Sequence, residues 1–393
     1  MRLTFSEIKN KIRKIIPEGI DYDVDLEAGS ISVITKEPAS FGGAGGQSLT
    51  VKIAKAVRRR VVIRPHPDLL SSENEVNDAV SRIMPEEALI RRIWLDPALS
   101  EVTIEADDPK SAVGQKGTNI QQLRNEIGWL VNVVRAPARE SRTQTDIRRF
   151  RKELADERKT LLRKFGTRIY RPQRPGPPWV RVTALGSYRE VGRAMHLVTT
   201  NESKVLVDCG AKPTNNRSEV QPFFAAPEML PLDNIDAVVI THAHVDHIGM
   251  LPVLFKYGYK GPVYCTQPTR DLMTLLQMDY IKVAQAEGND PPYSKSDIQE
   301  CIKHVVDINW GEKTDIAPDI KMTMENAGHI LGSSSVYMQI GEGRNEHKLL
   351  FSGDIKYEKS WLFDAATVRF NKVDTLVVES TYGGPQSIQP TRQ

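Results

Sequence analysis

The segment THAHVDHIGM, at positions 241–250, constrains this chain more than any other stretch. It places three histidines and one aspartate within six positions, in a chain of 393 residues that has only 8 histidines. Side chains at i and i+2 of an extended segment point to the same side. His242 and His244 can therefore bind one ion, whereas Asp246 and His247 follow where the chain turns into a helix and can reach a second.

Polar residues recur directly after apolar strands in the last part of the chain. Asp208 ends KVLVD, His329 follows MTMENAG, Asp354 follows KLLFSG and Glu379 ends TLVVE. Loops at strand ends are where a rigid sheet presents functional groups. Imidazole nitrogens and carboxylate oxygens together suit zinc or a similar divalent ion. Two such ions, with Asp354 available to bridge them, can clamp the oxygens of a phosphodiester and lower the pKa of a bound water.

Composition limits the class of protein. A net charge of +3 and 40% hydrophobic residues predict globular domains and give no global argument for nucleic acid. The three cysteines form no CxxC pair, so we expect no disulfide framework and a reducing cytoplasm. The N-terminus lacks the apolar core of a signal peptide, and no apolar run approaches a membrane span. The other four histidines are predicted to be packed or capping residues: His66, His196, His304 and His347.

Patterning divides the chain into four regions. Residues 1–68 and 69–137 have helices and strands in the same order and are predicted to be two copies of one module. Residues 138–178 hold 13 Lys/Arg against 5 Asp/Glu in a helical segment that ends in a proline-rich linker. This basic segment is either a solvated connecting helix or an arm that touches phosphates. Residues 179–393 alternate short apolar strands with helices, which predicts a layered α/β domain.

Five motifs carry a resemblance to a known fold: VLVDCG, HAHVDH, GHILGS, FSGD and VVESTYG. In this order they resemble the metallo-β-lactamase fold in its nucleic-acid-processing β-CASP branch. The fold class that the resemblance implies is α/β, with α+β modules followed by an αββα layered domain. It also implies two zinc ions, one held by His242, His244 and His329 and the other by Asp246, His247 and Asp354.

The same resemblance implies roles for individual carboxylates. Asp354 would bridge the two ions, Asp208 would support the ligand loop from behind, and Glu379 would assist proton transfer with a later histidine. Asp246, Asp208 and Glu379 are therefore predicted to be catalytic. In the β-CASP branch a further domain and two histidine motifs follow, whereas this sequence ends at QPTRQ. We therefore expect a domain incomplete at its C-terminus, with an incomplete second zinc site and impaired turnover.

A glycine loop in the second module suggests the substrate. Gly114, Gln115, Lys116 and Gly117 lie between two helical segments. This arrangement resembles a KH domain, whose GxxG loop lets the backbone approach single-stranded nucleic acid. Lys116 would add positive charge for a phosphate. The first module contains Gly42-Gly43-Ala44-Gly45, without a basic residue, which is either part of a degenerate KH-like unit or a plain glycine turn.

The combination of two KH-like modules, a basic linker and a β-CASP-type nuclease resembles the archaeal relatives of the cleavage and polyadenylation specificity factor nuclease, which terminate transcription. The resemblance implies a zinc-dependent endonuclease, with 5′-to-3′ exonuclease action as a further activity, that cuts single-stranded RNA at nascent 3′ ends. It also implies contact with RNA polymerase and a homodimer in the complete protein. Two alternatives stay open: a small-molecule hydrolase such as a thioesterase, and a non-catalytic RNA-binding scaffold.

Overall fold

The structure is a computed structural model that describes residues 3–42, 48–172, 174, 179–212 and 220–384. Of the GxxG predicted in the first module, Gly43, Ala44 and Gly45 lie outside the described residues. The chain divides into two compact units, Leu3–Gly166 and a second that begins at Thr167. The predicted region boundaries stay predictions. None of the helices in the described ranges is long and apolar enough to cross a membrane.

The first unit contains two copies of one strand arrangement. Its first half consists of α1 (Phe5–Arg13), β1 (Tyr22–Glu27), β2 (Ser30–Thr35), α2 (Leu49–Val57) and β3 (Val61–Pro65). Its second half consists of α3 (Glu73–Ile83), β4 (Ile90–Asp96), β5 (Glu101–Ala106), α4 (Pro109–Val113), α5 (Thr118–Ile127) and β6 (Leu130–Arg135). In each half the first two strands pair antiparallel, and the third pairs parallel to the second. The repeat expected from the sequence therefore extends to strand pairing.

Local signals and packing agree in the helices of this unit. Thr4 and Ser72 cap α1 and α3, and Glu7 and Glu75 bond back to the backbone of the capping residues, which completes two capping boxes. The buried side of α5, including Leu123, packs with residues of β5 in one apolar cluster. Burial of such a face supplies most of the stability of short helices.

Two further helices, α6 (Arg142–Glu153) and α7 (Ala155–Ile169), contain most of the predicted basic segment. Several of their arginines pair with carboxylates of the first unit: Arg148 with Glu105, Arg158 with Asp96 and Arg163 with Asp25. Arg148 also lies over the ring of Trp94, 4.8 Å from its centroid. Protein carboxylates therefore pair with the charges of these three arginines, and the Arg163 side chain is nevertheless 59% exposed.

The second unit contains two sheets within the described ranges. The strands of the first are β7 (Val180–Gly186), β8 (Met195–Thr200), β9 (Lys204–Val207), β10 (Ala237–Val239), β11 (Val263–Cys265) and β12 (Val305–Asp307). They lie in the order β12-β11-β10-β9-β8-β7. The second sheet, in chain order, consists of β13 (Lys313–Ala317), β14 (Ile320–Asn326), β15 (Ser334–Ile340), β16 (His347–Phe351) and β17 (Thr375–Val377). The helices are α8 (Val245–Ile248), α9 (Leu251–Lys256), α10 (Gln267–Ala286) and α11 (Lys295–His304).

The two sheets of the second unit share one apolar core. Val205 and Val207 of β9 belong to the same buried cluster as Met322 and Met324 of β14 and Val336 of β15. Helix α11 packs against both α9 and α10, and α10 also contacts α8 and β12. Sheet-on-sheet packing with accompanying helices is the layered α/β arrangement that the strand pattern predicts.

Strand direction determines where the functional groups lie. Strands β9 to β12 are parallel, so their carboxyl ends lie at one end of the sheet. β8 is antiparallel to both β7 and β9, so β7 runs in the same direction as β9. In open α/β sheets, ligands bind at the carboxyl ends of the parallel strands. Asp208 follows β9 and His242 follows β10, so both lie at this end.

Candidate metal centre

Four donor side chains converge at this end of the sheet. His242, His244, His329 and Asp354 each offer one atom, and these atoms lie within 4.8 Å of one another. Nδ1 of His244 lies 3.0 Å from Nε2 of His242 and 3.1 Å from Nε2 of His329. Nitrogens bound to one tetrahedral zinc ion lie roughly 3.3 Å apart, given the usual zinc–nitrogen distance. The spacing and the chemistry of the donors therefore fit a single divalent cation.

Asp354 lies between two groups of predicted ligands. Its Oδ2 is 3.4 Å from Nε2 of His329 and 3.6 Å from Nε2 of His242, whereas its Oδ1 is 3.3 Å from Nε2 of His247. Asp246 lies on the His247 side, with 3.8 Å between its Oδ2 and Nε2 of His247. All six predicted ligands are therefore close together, and Asp354 occupies the place that a bridge needs. The assignment of ligands to two ions stays a prediction.

The segment after β9 holds the histidine motif in place. The N–H of Cys209 donates to the carbonyl of His247 at 2.8 Å, and the N–H of Ala211 donates to the carbonyl of Val245 at 3.0 Å. Between them, a Cβ on Gly210 would lie 1.5 Å from the carbonyl oxygen of Asp246. Glycine is required at this position because the two backbones touch.

Asp208 orients this loop from behind the cluster. Its carboxylate accepts the N–H and the hydroxyl of Thr241, each at 2.8 Å, and lies 2.8 Å from Nδ1 of His247. With Nδ1 fixed in this way, Nε2 of His247 faces Asp354. Carboxylate–histidine pairs of this kind set the tautomer and direction of metal-binding imidazoles. The supporting role of Asp208 stays a prediction.

The surroundings of the histidines determine their protonation. Burial lowers the pKa of His242 well below its ordinary value, and burial also lowers the pKa of His329 despite the nearby Asp354 carboxylate. Both are therefore neutral near pH 7, which is the form that binds metals. At His247, burial is outweighed by the carboxylates of Asp208 and Asp354, which raise its pKa to about 10. The two carboxylates stabilise a positive charge at His247. That charge can come from a proton on the imidazole or from a metal ion bound to it.

Two hydroxyl residues that were not predicted from the sequence position the histidines. The Oγ1 of Thr241 lies 3.0 Å from Nδ1 of His242 and also donates to Asp208. The Oγ of Ser333 accepts the backbone N–H of His329 at 3.1 Å. The sequence places a hydroxyl residue near each of these ligands. Serine and threonine are so common in loops that their presence there does not indicate a role at the site.

Glu379 lies beside the donor cluster. Its carboxylate accepts the N–H of Ile355 at 3.3 Å and the N–H of Thr381 at 3.1 Å. Burial lowers the pKa of His329, and the negative charge of Glu379 is close enough to oppose this effect. A role in proton transfer stays a prediction.

The other four histidines have partners of a different kind. His196 packs between Tyr188 and Phe351, with ring centroids at 5.3 and 5.4 Å. The remaining three contact polar groups away from the cluster: His66 the N–H of Asp68, His304 the carbonyl of Glu300, and His347 the hydroxyl of Thr375. These contacts fit the packing and capping roles predicted for them.

The GQKG loop connects α4 to α5. Gly114 and Gly117 have φ angles of 73° and 79°, in the left-handed region that favours glycine. A Cβ on Gly114 would lie 2.7 Å from the side chain of Asn119, whereas a Cβ on Gly117 would meet nothing within 4 Å. Gln115 and Lys116 are exposed. The backbone at Gly117 is therefore open to an approaching ligand, with a cation beside it.

Sequence comparisons match both units. The KH domain of transcription termination factor FttA matches residues 2–70, and the β-lactamase superfamily domain matches residues 203–391. FttA of Methanosarcina mazei is 43% identical over 385 residues, which is 98% of this chain and 60% of the relative. FttA of Methanothermobacter thermautotrophicus is 41% identical over 388 residues, with the same coverage. This chain belongs to the FttA family.

Membership of the FttA family confirms the resemblance and the fold class inferred from the motifs. The KH match falls on the first module, whereas the loop predicted to contact RNA lies in the second. The chain spans about 60% of the length of these FttA relatives. Among solved structures, the subclass B3 metallo-β-lactamase BJP-1 of Bradyrhizobium japonicum is 19% identical, with 53% of this chain and 80% of that chain covered and a TM-score of 0.34. A score this low supports no inference.

Proposed function

We propose that this FttA-family chain carries a two-metal ribonuclease centre that cuts single-stranded RNA during transcription termination. The observation that carries the proposal is the convergence of four donors, from His242, His244, His329 and Asp354, within 4.8 Å. The name of the relatives, transcription termination factor, supports the biological setting. Endonuclease cleavage near the 3′ end of the transcript is the main activity proposed, and 5′-to-3′ exonuclease action is secondary.

The donor set suits zinc because it is rich in imidazole. One ion would be held by His242, His244 and His329, and the other by Asp246, His247 and Asp354, with Asp354 shared. Bound ions of this kind act as Lewis acids and lower the pKa of water. Asp208 accepts the Nδ1 proton of His247 and so keeps Nε2 directed at Asp354. Glu379, beside the cluster, offers a carboxylate that can hold a proton during the reaction.

RNA binding is assigned in this proposal to the first unit. The open backbone at Gly117 and the exposed Lys116 would contact the sugar-phosphate backbone of a single strand. The match to the KH domain of FttA supports nucleic-acid binding by this unit. RNA polymerase and a second copy of the complete protein are proposed as partners, on the basis of the family alone.

The proposal is tested by measuring cleavage and metal content on the same samples. An internally labelled single-stranded RNA is the substrate, and bound metal is measured by mass spectrometry. The wild-type chain should hold metal and cut RNA. The double variant His244→Ala, Asp246→Ala should lose most of its metal and cut at least about a hundredfold more slowly, because both predicted sites lose a ligand. The matched control is His66→Ala, which removes a histidine of the first unit.

Two results would contradict the proposal. The first is RNA cleavage by the double variant at the wild-type rate, since the cluster would then not be the reactive centre. The second is a wild-type chain that binds RNA and metal but never cuts, which would instead support an RNA-binding scaffold. Thioester hydrolysis without RNA cleavage would favour a small-molecule hydrolase.

A further inference from the structure

Trp310 lies at the end of the sheet that carries the metal centre. It comes three residues after β12 ends at Asp307. Because β9 to β12 are parallel, this position shares an end of the sheet with Asp208 and His242. The side chain of Trp310 is 48% exposed. A large aromatic ring is therefore open to solvent at the end of the sheet where a ligand would approach.

Hydrogen bonds fix the ring of Trp310 relative to the ligand loops. Its Nε1–H donates to the Oγ of Ser334 at 2.9 Å. The N–H of Ser334 donates to the carbonyl of Thr241 at 2.8 Å, and its hydroxyl donates to the carbonyl of Gly332 at 3.2 Å. Thr241 directly precedes His242, and Gly332 lies three residues after His329. The indole is thus connected through one serine to both segments that carry histidine ligands.

The turn that carries Trp310 is also held. The N–H of Gly311 donates to the carbonyl of Met324 at 2.9 Å, and the N–H of Glu312 donates to the carbonyl of Asn309 at 3.1 Å. A ring held at its nitrogen and at its backbone loses little further freedom when a flat ligand stacks on it. Rigid aromatic side chains give contact area at low entropic cost for this reason.

A second exposed apolar side chain lies in the same region. Leu331, two residues after His329, is 53% exposed, and it precedes the Gly332 whose carbonyl accepts from Ser334. Single exposed apolar residues are common and need no explanation. Leu331 and Trp310 are both exposed, and Ser334 connects the indole to the segment that carries Leu331 and His329.

We propose that Trp310 stacks on one base of a single-stranded RNA and so positions the neighbouring phosphodiester at the metal centre. The inference rests on the proposed ribonuclease function and adds the contact that recognises the nucleotide. Stacking tolerates all four bases, because every base has a π-face. Trp310 is therefore a positioning residue that favours unpaired RNA over base-free phosphodiesters.

The chain offers a matched control in Trp179. It is 44% exposed, close to the exposure of Trp310. It directly precedes β7, which runs in the same direction as β9. Trp179 therefore lies at the amino end of its strand, at the opposite end of the sheet from the metal centre. A general effect of losing an exposed tryptophan should appear equally in both variants.

The test combines protein variants with a series of RNAs in which each nucleotide in turn is abasic. For wild-type protein, one abasic position near the cleavage site should weaken binding roughly tenfold, as expected for the loss of one stack. Trp310→Ala should bind intact RNA as weakly as wild-type protein binds the abasic RNA. An abasic nucleotide at the same position should weaken binding by Trp310→Ala no further. Trp310→Phe keeps a ring and should recover most of the affinity. Trp179→Ala should behave as wild type.

Two further measurements separate this inference from the proposed function. RNA with 5-iodouridine at the sensitive position should crosslink to residue 310, as identified by peptide mass spectrometry. Metal content should be the same in Trp310→Ala and wild type, and both should cleave RNA that is abasic at the sensitive position at the same rate. Crosslinking without any RNA cleavage by wild-type protein would overturn the ribonuclease proposal and retain the stacking role.

Three results would overturn the stacking role. One is the absence of a crosslink at residue 310. Another is that the losses of binding free energy caused by Trp310→Ala and by each abasic position add. Two changes that remove the same contact do not add, so additive losses would mean that the indole and the base do not touch. The third is an equal loss of affinity in Trp179→Ala.

Discussion

At the scale of single residues, Thr241 tests whether the support behind the ligands matters. Its side chain is buried, donates to Asp208 and lies 3.0 Å from Nδ1 of His242. Thr241→Val keeps the shape but leaves these polar atoms short of a partner. We expect a loss of about 1–3 kcal/mol in the free energy of unfolding. We also expect metal affinity to fall about 10- to 100-fold, as for other groups that orient metal ligands.

Chemical denaturation and titration with zinc would measure these two effects. Thr241→Ser is the matched control, because it retains the hydroxyl and loses only a methyl group. If the valine variant bound zinc as tightly as the serine variant, the hydroxyl would have no part in orienting the histidines.

The contrast between His242 and Thr241 shows what a sequence can reveal about a site. Histidine is rare in this chain, so three of them within six positions stand out. Asp354 could be proposed as a bridge because it directly follows a strand, and the structure places it between the two groups of predicted ligands. Thr241 and Ser333 gave no such signal, because hydroxyl residues near a loop are ordinary. Their importance depends on three-dimensional contacts with residues distant in sequence.

At the scale of secondary-structure elements, Gly210 tests how the segment after β9 holds the histidine motif. A Cβ at this position would lie 1.5 Å from the carbonyl oxygen of Asp246, a backbone atom that cannot move alone. Gly210→Ala should therefore displace the start of α8, destabilise the chain by about 3 kcal/mol and weaken metal binding. Thermal unfolding and metal titration would show both effects.

A second glycine variant provides the comparison. Gly258 has φ of 93°, but a Cβ there would meet nothing within 4 Å. Gly258→Ala should cost stability through backbone strain and leave metal affinity unchanged. Loss of metal binding in both variants would mean that general destabilisation, and not the contact with Asp246, is responsible.

Elements with clear apolar patterns could be predicted, whereas one short strand could not. The apolar strand predicted at KVLVD contains β9, and the one predicted at TLVVE contains β17. The strand β12 was not predicted, because it has only three residues directly after a helix, too few for any alternation to be visible. It forms through parallel pairing with β11, a contact that local sequence does not encode. Its position is nevertheless important, since it brings Trp310 to the functional end of the sheet.

At the scale of the whole molecule, the repeated module could be predicted because helices and strands recur in the same order. The division into compact units depends on contacts that the sequence does not show. The proline-rich stretch within 138–178 suggested a linker, but the first compact unit ends at Gly166, within α7. Ion pairs such as that of Arg163 with Asp25 hold the helix on the first unit. Charge composition alone could not distinguish such paired arginines from a free basic arm.

The proposed division of labour between the two units leads to a final prediction. If the KH loop holds RNA and the second unit cuts it, Lys116→Ala should weaken RNA binding without affecting the metal centre. Binding should fall several-fold at low salt, and the slope of log affinity against log salt should decrease by about 0.7, because one phosphate contact of a single strand is lost. Metal content and hydrolysis of bis(p-nitrophenyl) phosphate should be unchanged.

Lys282→Ala, which removes an exposed lysine from α10 in the second unit, is the control for a general loss of charge. An equal change in salt dependence for the two variants would show that the GQKG loop makes no particular phosphate contact. Normal RNA affinity in the Lys116→Ala chain would mean that RNA binds elsewhere. The first module would then be the next candidate, because it matches the KH domain of FttA. An open backbone at Gly117 combined with an exposed cation argues for the second module, since close approach and charge are both needed to hold a single strand.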